Sequence, residues 1–307
     1  MNKPISQHWV PRFYLRYFAT AETRESTNPQ VWIFSKDGGD PLLTSTKNVA
    51  ASRYLYSPPN QHGDRDWTQE EKLNKLETLL SRIWPELATD YLDLGSTSLR
   101  KGLSLFMATL MLRHPKRIDD IQSLHKRMVD TFDSVEKDHN GNPKVKQVAI
   151  GSKVIDIDSS RYQEYRQQTE VDHQRSLVEY LSTGALELAE IMLTKRWSML
   201  ISENPGFITT DNPFTYVNRD VSRSTYGINS QGTIIMFAIS PTRILHLDDM
   251  HSEPNNQYYP LKNNDFATMN YLLWRNASRF MISHRHTDEV CRELIERSDE
   301  IKREMGA

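Results

Sequence analysis

Residues 197–214, WSMLISENPGFITTDNPF, are the stretch that decides the fold of this chain. The segment 197–202 is short and its side chains are mostly bulky and apolar, which is typical of a buried strand. The NPG of residues 204–206 predicts a tight turn, because proline presets φ at the second turn position and glycine supplies a positive φ at the third. Residues 207–210 predict a returning strand. We therefore expect a buried β-hairpin around which the other elements pack.

The predicted hairpin ends in the DNP of residues 211–213. Asp and Asn are residue types that favour turns, and Pro213 cannot donate to a strand ladder. The Asp211 carboxylate and the Asn212 amide are thereby held rigidly at the end of a buried strand. A partly desolvated carboxylate can act as a base or a metal ligand. The alternative is an Asx turn that only closes the hairpin.

Composition and charge limit the class of protein. The chain has 307 residues, 25% of them charged and 37% hydrophobic, with a net charge of −2. Such a chain is globular and has no overall attraction to nucleic acid, although the sequence still allows a local basic patch.

The single cysteine, Cys291, excludes an intramolecular disulfide and suits a reducing compartment. No apolar run approaches the ~20 residues of a membrane span. The polar N-terminus with its early Pro4 is unlike a signal peptide. We therefore expect a cytoplasmic protein without a membrane partner.

The order of elements predicts an α+β fold. Residues 30–56 alternate as strands do, and residues 67–194 carry apolar side chains at helical spacing. Residues 195–250 are again rich in strands. We expect a single α+β domain over residues 1–307, in which a central helical block packs on a mixed or antiparallel sheet.

Four local predictions follow from finer patterns. The TQEE that begins at Thr68 predicts a capping box. Continuous helices are predicted over residues 161–194 and 265–283. Residues 144–158 fit either a strand pair or an ordered loop.

The N-terminal residues 8–18, HWVPRFYLRYF, predict a short helix. Proline suits the first helical position. Tyr14 then lies on the apolar face of this helix. Arg12 and Arg16 are four residues apart, so their side chains can together bind an anion. His8 lies just before the helix, either as a catalytic group or as a satisfied, partly buried imidazole.

Three motifs together carry a resemblance to a known family. The first, H-x-V-P-x-x-Y-L-x-x-F, covers residues 8–18; the second, R-x-P, is Arg113 and Pro115 at a helix end; the third, F-I-T-[ST]-D-N-P, covers residues 207–213. In this order they resemble a bacterial family, domain-of-unknown-function family 4238, over nearly the whole chain. The resemblance implies a standalone bacterial protein without an assigned reaction, and it implies which residues to watch. His114 departs from the smaller residue expected before Pro115.

The leading hypothesis is a phosphodiester-cleaving enzyme in which these distant segments converge. His8 would serve as general base or acid. The other candidate catalytic residues are Asp211 and Glu77. Asp211, with Glu77, would hold Mg²⁺ or Mn²⁺ through carboxylate oxygens. Arginines would neutralise the phosphate and its developing charge. The candidate substrate-binding residues are Arg12, Tyr14, Arg16, Arg113 and Asn212. The expected partner is a nucleic acid or a nucleotide, and the kind of family resembled suggests a toxin-like or phage-defence effector.

Other interpretations compete with this hypothesis. Arg279 and His284 form R-x4-H, similar to the catalytic pair of metal-independent HEPN ribonucleases, although chance readily supplies that spacing. Residues 246–251, HLDDMH, fit either a metal cluster or a strand that runs into a polar loop. Nucleotide-binding glycine loops and the serine and zinc hydrolase motifs are absent from the sequence. The competing class is a non-catalytic ligand- or protein-binding module, and the sequence leaves open whether the protein is an enzyme.

Overall fold

A computed structural model of the chain describes residues 5–150, 153–220, 222, 225–262 and 265–304. The helices are α1 (Arg12–Leu15), α2 (Thr68–Thr89), α3 (Thr97–Leu112), α4 (Lys116–Ser134), α5 (Tyr162–Arg166), α6 (Glu170–Thr194), α7 (Phe266–Asn276) and α8 (Thr287–Glu304). None of these helices, within the described ranges, is long and apolar enough to cross a membrane.

The strands are distributed over two larger sheets and two strand pairs. They are β1 (Ser6–His8), β2 (Gln30–Ser35), β3 (Leu42–Ser45), β4 (Ala51–Arg53), β5 (Gln147–Ile150), β6 (Lys153–Asp156), β7 (Arg196–Ile201), β8 (Thr209–Thr210), β9 (Thr215–Asn218), β10 (Thr233–Ser240), β11 (Arg243–Asp248), β12 (Gln257–Pro260) and β13 (Phe280–Ser283). The five-stranded sheet has the order β12-β7-β11-β10-β9, and the four-stranded sheet has the order β3-β2-β13-β8. Strand β12 runs parallel to β7, so the larger sheet is mixed.

The predicted α+β fold class is confirmed. One hydrophobic core joins the helices to both larger sheets, from Trp9 near the N-terminus to Leu294 in α8. At its centre the ring of Tyr14 stacks on Phe237 of β10 at 5.4 Å between centroids. Trp84 of α2 donates its indole N–H to the carbonyl oxygen of Ile239 at 3.1 Å. These contacts fix α1 and α2 against the five-stranded sheet.

The predicted hairpin over residues 197–214 is wrong. Strand β7 lies in the five-stranded sheet, whereas β8 pairs with β13 in the four-stranded sheet. The backbone N–H groups of Gly206 and Phe207 both donate to the carbonyl oxygen of Pro241, at 2.8 and 2.9 Å. The segment therefore crosses from one sheet to the other, because its polar backbone groups find partners in the turn after β10 rather than in β7.

Gly206 is required by close packing rather than by a turn. It is not among the described residues with positive φ. A Cβ atom at this position would lie 2.5 Å from the ring of Phe266, far inside van der Waals contact. The predicted turn geometry is therefore replaced by a crossing in which the backbone approaches an aromatic ring that only glycine tolerates.

The two predicted continuous helices are also wrong in their extent. The second ends at Asn276, and β13 follows it in the middle of the four-stranded sheet. The first divides into α5 and α6, because Thr169 and Asp172 form a capping box that begins a new helix.

Of the two remaining local predictions, one alternative is confirmed and the other prediction is wrong. Residues 144–158 contain the strand pair β5–β6. The capping box predicted at Thr68 is not formed, since Thr68 is the first helical residue of α2 and its backbone N–H donates to the Asp66 carboxylate at 2.9 Å.

Replacing Gly206 by alanine is expected to lower the free energy of unfolding by about 1–3 kcal/mol, the usual cost of overpacking a core. Gly227→Ala is the matched control, because a Cβ there meets no atom within 4 Å and its φ is not positive. Urea unfolding of both variants measures the difference. Equal stabilities would contradict the close approach to Phe266.

Candidate functional site

Trp9 joins the three family motifs in space. Its indole N–H donates to the carbonyl oxygen of Asp211 at 2.9 Å, and its own carbonyl accepts the Nε–H of Arg113 at 2.8 Å. Its ring lies edge-on to His114, with 5.7 Å between centroids. Segments separated by 104 and 202 residues therefore meet at one side chain.

Arg113 is a fully buried cation whose hydrogen-bond partners come from distant segments of the chain. Its Nη1–H donates to the Glu77 carboxylate at 2.7 Å, and its carbonyl oxygen accepts the Tyr56 hydroxyl at 2.7 Å. Nη2 has no hydrogen-bond partner in the part of the chain that the structure describes. A buried charge needs an opposite charge to offset its desolvation, and Glu77 supplies it.

Three predicted site residues line one cavity of about 370 Å³ between the N-terminal segment and α2. They are His8, Arg12 and Glu77, and Glu70 lies with them. We name it the carboxylate cavity. Its lining residues are Ser6, His8, Arg12, Phe13, Glu70, Leu73, Asn74, Glu77, Thr78 and Ser81. No described carboxylate pairs with the exposed Arg12, so its charge is available to an anion.

His8 is a neutral base at neutral pH. Burial is the main cause that lowers its pKa below the ordinary value of 6.5, and the charges of Arg12 and Arg113 act in the same direction. Its Nε2 lies 3.2 Å from the carbonyl oxygen of Lys47. A carbonyl can only accept, so Nε2 carries the proton and Nδ1 carries the lone pair.

Glu70 is an acid that keeps its proton close to neutral pH. Burial, and after it the negative charge of Glu77, raise its pKa to about 7 against the smaller opposing effect of Arg113. Glu77 itself is paired with Arg113. A cavity therefore holds a group able to accept a proton and a group able to donate one, which is the usual composition of an acid–base site.

A larger cleft of about 1130 Å³ adjoins the carboxylate cavity, and Phe13 and Ser81 line both. Its walls carry cationic and aromatic side chains, namely Arg16, Arg24, Arg285, Tyr17 and Trp32. The cleft also carries Glu22 and Glu25, and Arg16 pairs with Glu25 at 2.9 Å. The predicted substrate-binding residue Arg16 thus lies in this cleft.

The other predicted residues lie elsewhere. Tyr14 is fully buried in the core, where its hydroxyl contacts Thr209 Oγ1 at 2.6 Å and donates to the carbonyl oxygen of Ala238 at 2.8 Å. Asn212 lines a different cavity, described below. The structure therefore places these two residues apart from His8.

Asp211 is fully buried and holds a turn. Its Oδ1 accepts the backbone N–H of Ser278 and its Oδ2 that of Arg279, each at 2.9 Å. These bonds satisfy a carboxylate that is costly to bury unpaired. They also direct the chain out of α7 and into β13. His114 Nε2 lies 3.6 Å from Oδ2, and the His114 Nδ1 accepts the backbone N–H of Lys116.

The sequence-predicted metal has no evident cluster of ligands. Among the described residues, no three His, Cys, Asp or Glu side chains are grouped as a metal site requires. Within the HLDDMH segment, Asp248 pairs with Arg196 at 2.5 Å and Asp249 pairs with Lys195 at 2.7 Å. The role of Asp211 as a metal ligand stays a prediction.

The R-x4-H pair flanks β13. His284 lines the large cleft, and burial lowers its pKa to about 4. Arg279 is not among the residues that line this cleft. No contact in the described part of the chain joins the two side chains.

Glu70 is the functional candidate that sequence reasoning missed. Glu70, Asn74 and Glu77 stand at positions i, i+4 and i+7 of α2, which places them on one face of a helix. This polar row beside the apolar face was visible in the sequence. Its partners His8 and Arg12 could be assigned to it only from the tertiary structure.

Replacing Asp211 by asparagine is expected to lower the free energy of unfolding by about 1–3 kcal/mol, because an amide N–H would face a backbone N–H and leave it without an acceptor. Asp130→Asn, exposed on α4, is the control. Urea unfolding compares the two. If Asp211→Asn kept the wild-type stability but lost the activity of the protein, a catalytic role for Asp211 would be favoured instead.

Comparison with known proteins adds a family and no function. The family model described as a protein of unknown function, DUF4238, matches residues 6–287. No curated protein and no solved structure matches the chain. Because the model spans nearly all of the chain and includes the motifs that meet at Trp9, the protein belongs to the DUF4238 family.

Proposed function

We propose that the protein cleaves phosphodiester bonds in single-stranded nucleic acid, with the chemistry in the carboxylate cavity. The observation that carries the proposal is the convergence of His8, Glu70 and the unpaired Arg12 on one cavity, with Glu77 anchored beside them by Arg113. These are a base, an acid and a free cation, which together meet the needs of phosphoryl transfer.

The reaction follows from the protonation states of the two groups. Nδ1 of His8 takes the proton of the attacking hydroxyl as that oxygen bonds to phosphorus. Glu70 gives its proton to the leaving 5′ oxygen as the bond from that oxygen to phosphorus breaks. Arg12 offsets the negative charge that develops on the phosphoryl oxygens. Burial and, to a smaller extent, repulsion by the negative charge of Glu77 favour the protonated form of Glu70.

RNA is the expected polymer, because its 2′-hydroxyl supplies the attacking group within the substrate. The products are then a 2′,3′-cyclic phosphate and a 5′-hydroxyl. The large cleft supports an extended strand, since Arg24 forms no ion pair with a described carboxylate and can contact a phosphate, while the aromatic rings can stack on bases. The acid–base pair itself does not require the Mg²⁺ or Mn²⁺ predicted from the sequence.

The rate of cleavage of a fluorescent single-stranded RNA is expected to show a bell-shaped dependence on pH. The rate rises through the pKa of His8, which lies below 6.5, because the base must be neutral. It falls above about 7, the pKa of Glu70, because the acid must be protonated. His8→Gln and Glu70→Gln should each lower the rate by about 10²–10⁴-fold, and Glu70→Gln should also remove the fall at higher pH.

The controls are His62→Gln and Glu86→Gln, which alter exposed side chains of the same types. Both are expected to keep the wild-type rate, and circular dichroism checks that all four variants fold. Activity should persist in EDTA. Loss of activity in EDTA, cleavage of DNA, or a wild-type protein that does not cleave RNA at any pH, would contradict this mechanism.

The proposal extends to a toxin-like or phage-defence effector. Induction of the wild-type protein in a bacterial host is then expected to halt growth and to degrade cellular RNA, as gels of total RNA and DNA would show. His8→Gln at equal protein levels should restore growth, while His62→Gln should not. Equal growth and intact nucleic acids in all three strains would contradict the effector role.

A further inference from the structure

A second cavity, of about 610 Å³, lies where the end of α3, the start of α4 and the turn after α7 meet. We name it the basic cavity. No residue lines both this cavity and the carboxylate cavity or the large cleft. Asn212 and His114 from the family motifs line it, so part of the family signature serves a site distinct from the acid–base pair.

The charges around the basic cavity are unbalanced. Four cationic side chains line it, namely Lys36, Lys116, Arg117 and Arg275, against the single carboxylate of Asp120. Asp120 is already paired with Arg117 at 2.9 Å. Asp211, buried behind the lining, accepts two backbone N–H groups, and its negative charge also acts on Lys36, so two carboxylates stand against four cations. The cavity therefore keeps an excess of positive charge.

Three of these cations lack a carboxylate partner within the described ranges: Lys36, Lys116 and Arg275. The Lys36 ammonium donates to the carbonyl oxygens of Arg275 and Ala277, at 3.1 and 2.6 Å. These bonds hold the ammonium at the wall of the cavity without neutralising it. Cations without a carboxylate partner around a concave space favour an anion with several oxygens.

An aromatic compartment adjoins the basic cavity. A neighbouring cavity of about 440 Å³ shares Tyr216, Arg275 and Asn276 with it. There the ring of Tyr216 meets that of Tyr226 edge-on, with 5.9 Å between centroids. These half-buried rings line the cavity and suit contact with a planar heteroaromatic group, and the shared Arg275 lines both the aromatic and the cationic part.

We propose that these two adjoining cavities form one binding site for a free mononucleotide. The phosphates would lie among Lys36, Lys116 and Arg275, and the base would contact Tyr216 and Tyr226. The basic cavity alone has the size usual for a small-molecule site. This site is separate from the proposed site of cleavage, and neither proposal rests on the other.

Isothermal titration calorimetry with adenosine, AMP, ADP and inorganic phosphate tests the proposal on the full chain. Affinity is expected to rise from adenosine to AMP to ADP and to weaken with added salt. Arg275→Ala and Lys116→Ala should each weaken ADP binding by about tenfold or more. Tyr216→Leu should weaken ADP binding and leave phosphate binding unchanged.

The matched controls separate this site from the carboxylate cavity. Lys126→Ala removes an exposed cation of the same helix as Lys116 and is expected to bind ADP as the wild type does. His8→Gln should bind ADP normally, because His8 lines the other cavity. The proposal is overturned if none of the four probes binds, if phosphate binds as tightly as ADP, or if Arg275→Ala and Lys116→Ala bind ADP like the wild type.

Discussion

The buried charge of Arg113 is the constraint on which both candidate sites depend. A guanidinium without access to solvent must be offset nearby, and Glu77 does this at 2.7 Å while the carbonyl oxygen of Trp9 accepts a further bond. The ion pair ties the end of α3 to the middle of α2. It also keeps the negative charge of Glu77 close to Glu70, which helps raise the pKa of that carboxyl.

From Arg113 the polar contacts continue into the second half of the molecule. Trp9 bonds Asp211, and Asp211 in turn holds the turn between α7 and β13. The neighbouring residue, His114, lines the basic cavity. The family motifs thus supply a framework that sets the walls of two cavities. Other chemically available groups, such as Glu70, Lys116 and Arg275, lie outside those motifs.

Errors in the sequence-based predictions occurred where a local pattern had two tertiary solutions. The NPG segment fits a tight turn, but its backbone bonds to Pro241, and β8 finds its partner in β13. Likewise residues 265–283 keep a helical apolar spacing, yet Asp211 accepts the N–H groups of Ser278 and Arg279 and the chain becomes a strand. Hydrogen-bond partners distant in sequence outweighed local propensity in both places.

The sequence by itself determined the α+β class, most of the long helices, and the identity of the residues to watch, because periodicity and turn chemistry are local properties. It also supplied the helical row that contains Glu70 and Glu77. Only the tertiary structure decided that His8 joins this row while Asp211 supports a turn. That division depends on the buried pairing of Arg113 and on Trp9, whose bonds span more than a hundred residues and leave no local pattern in the sequence.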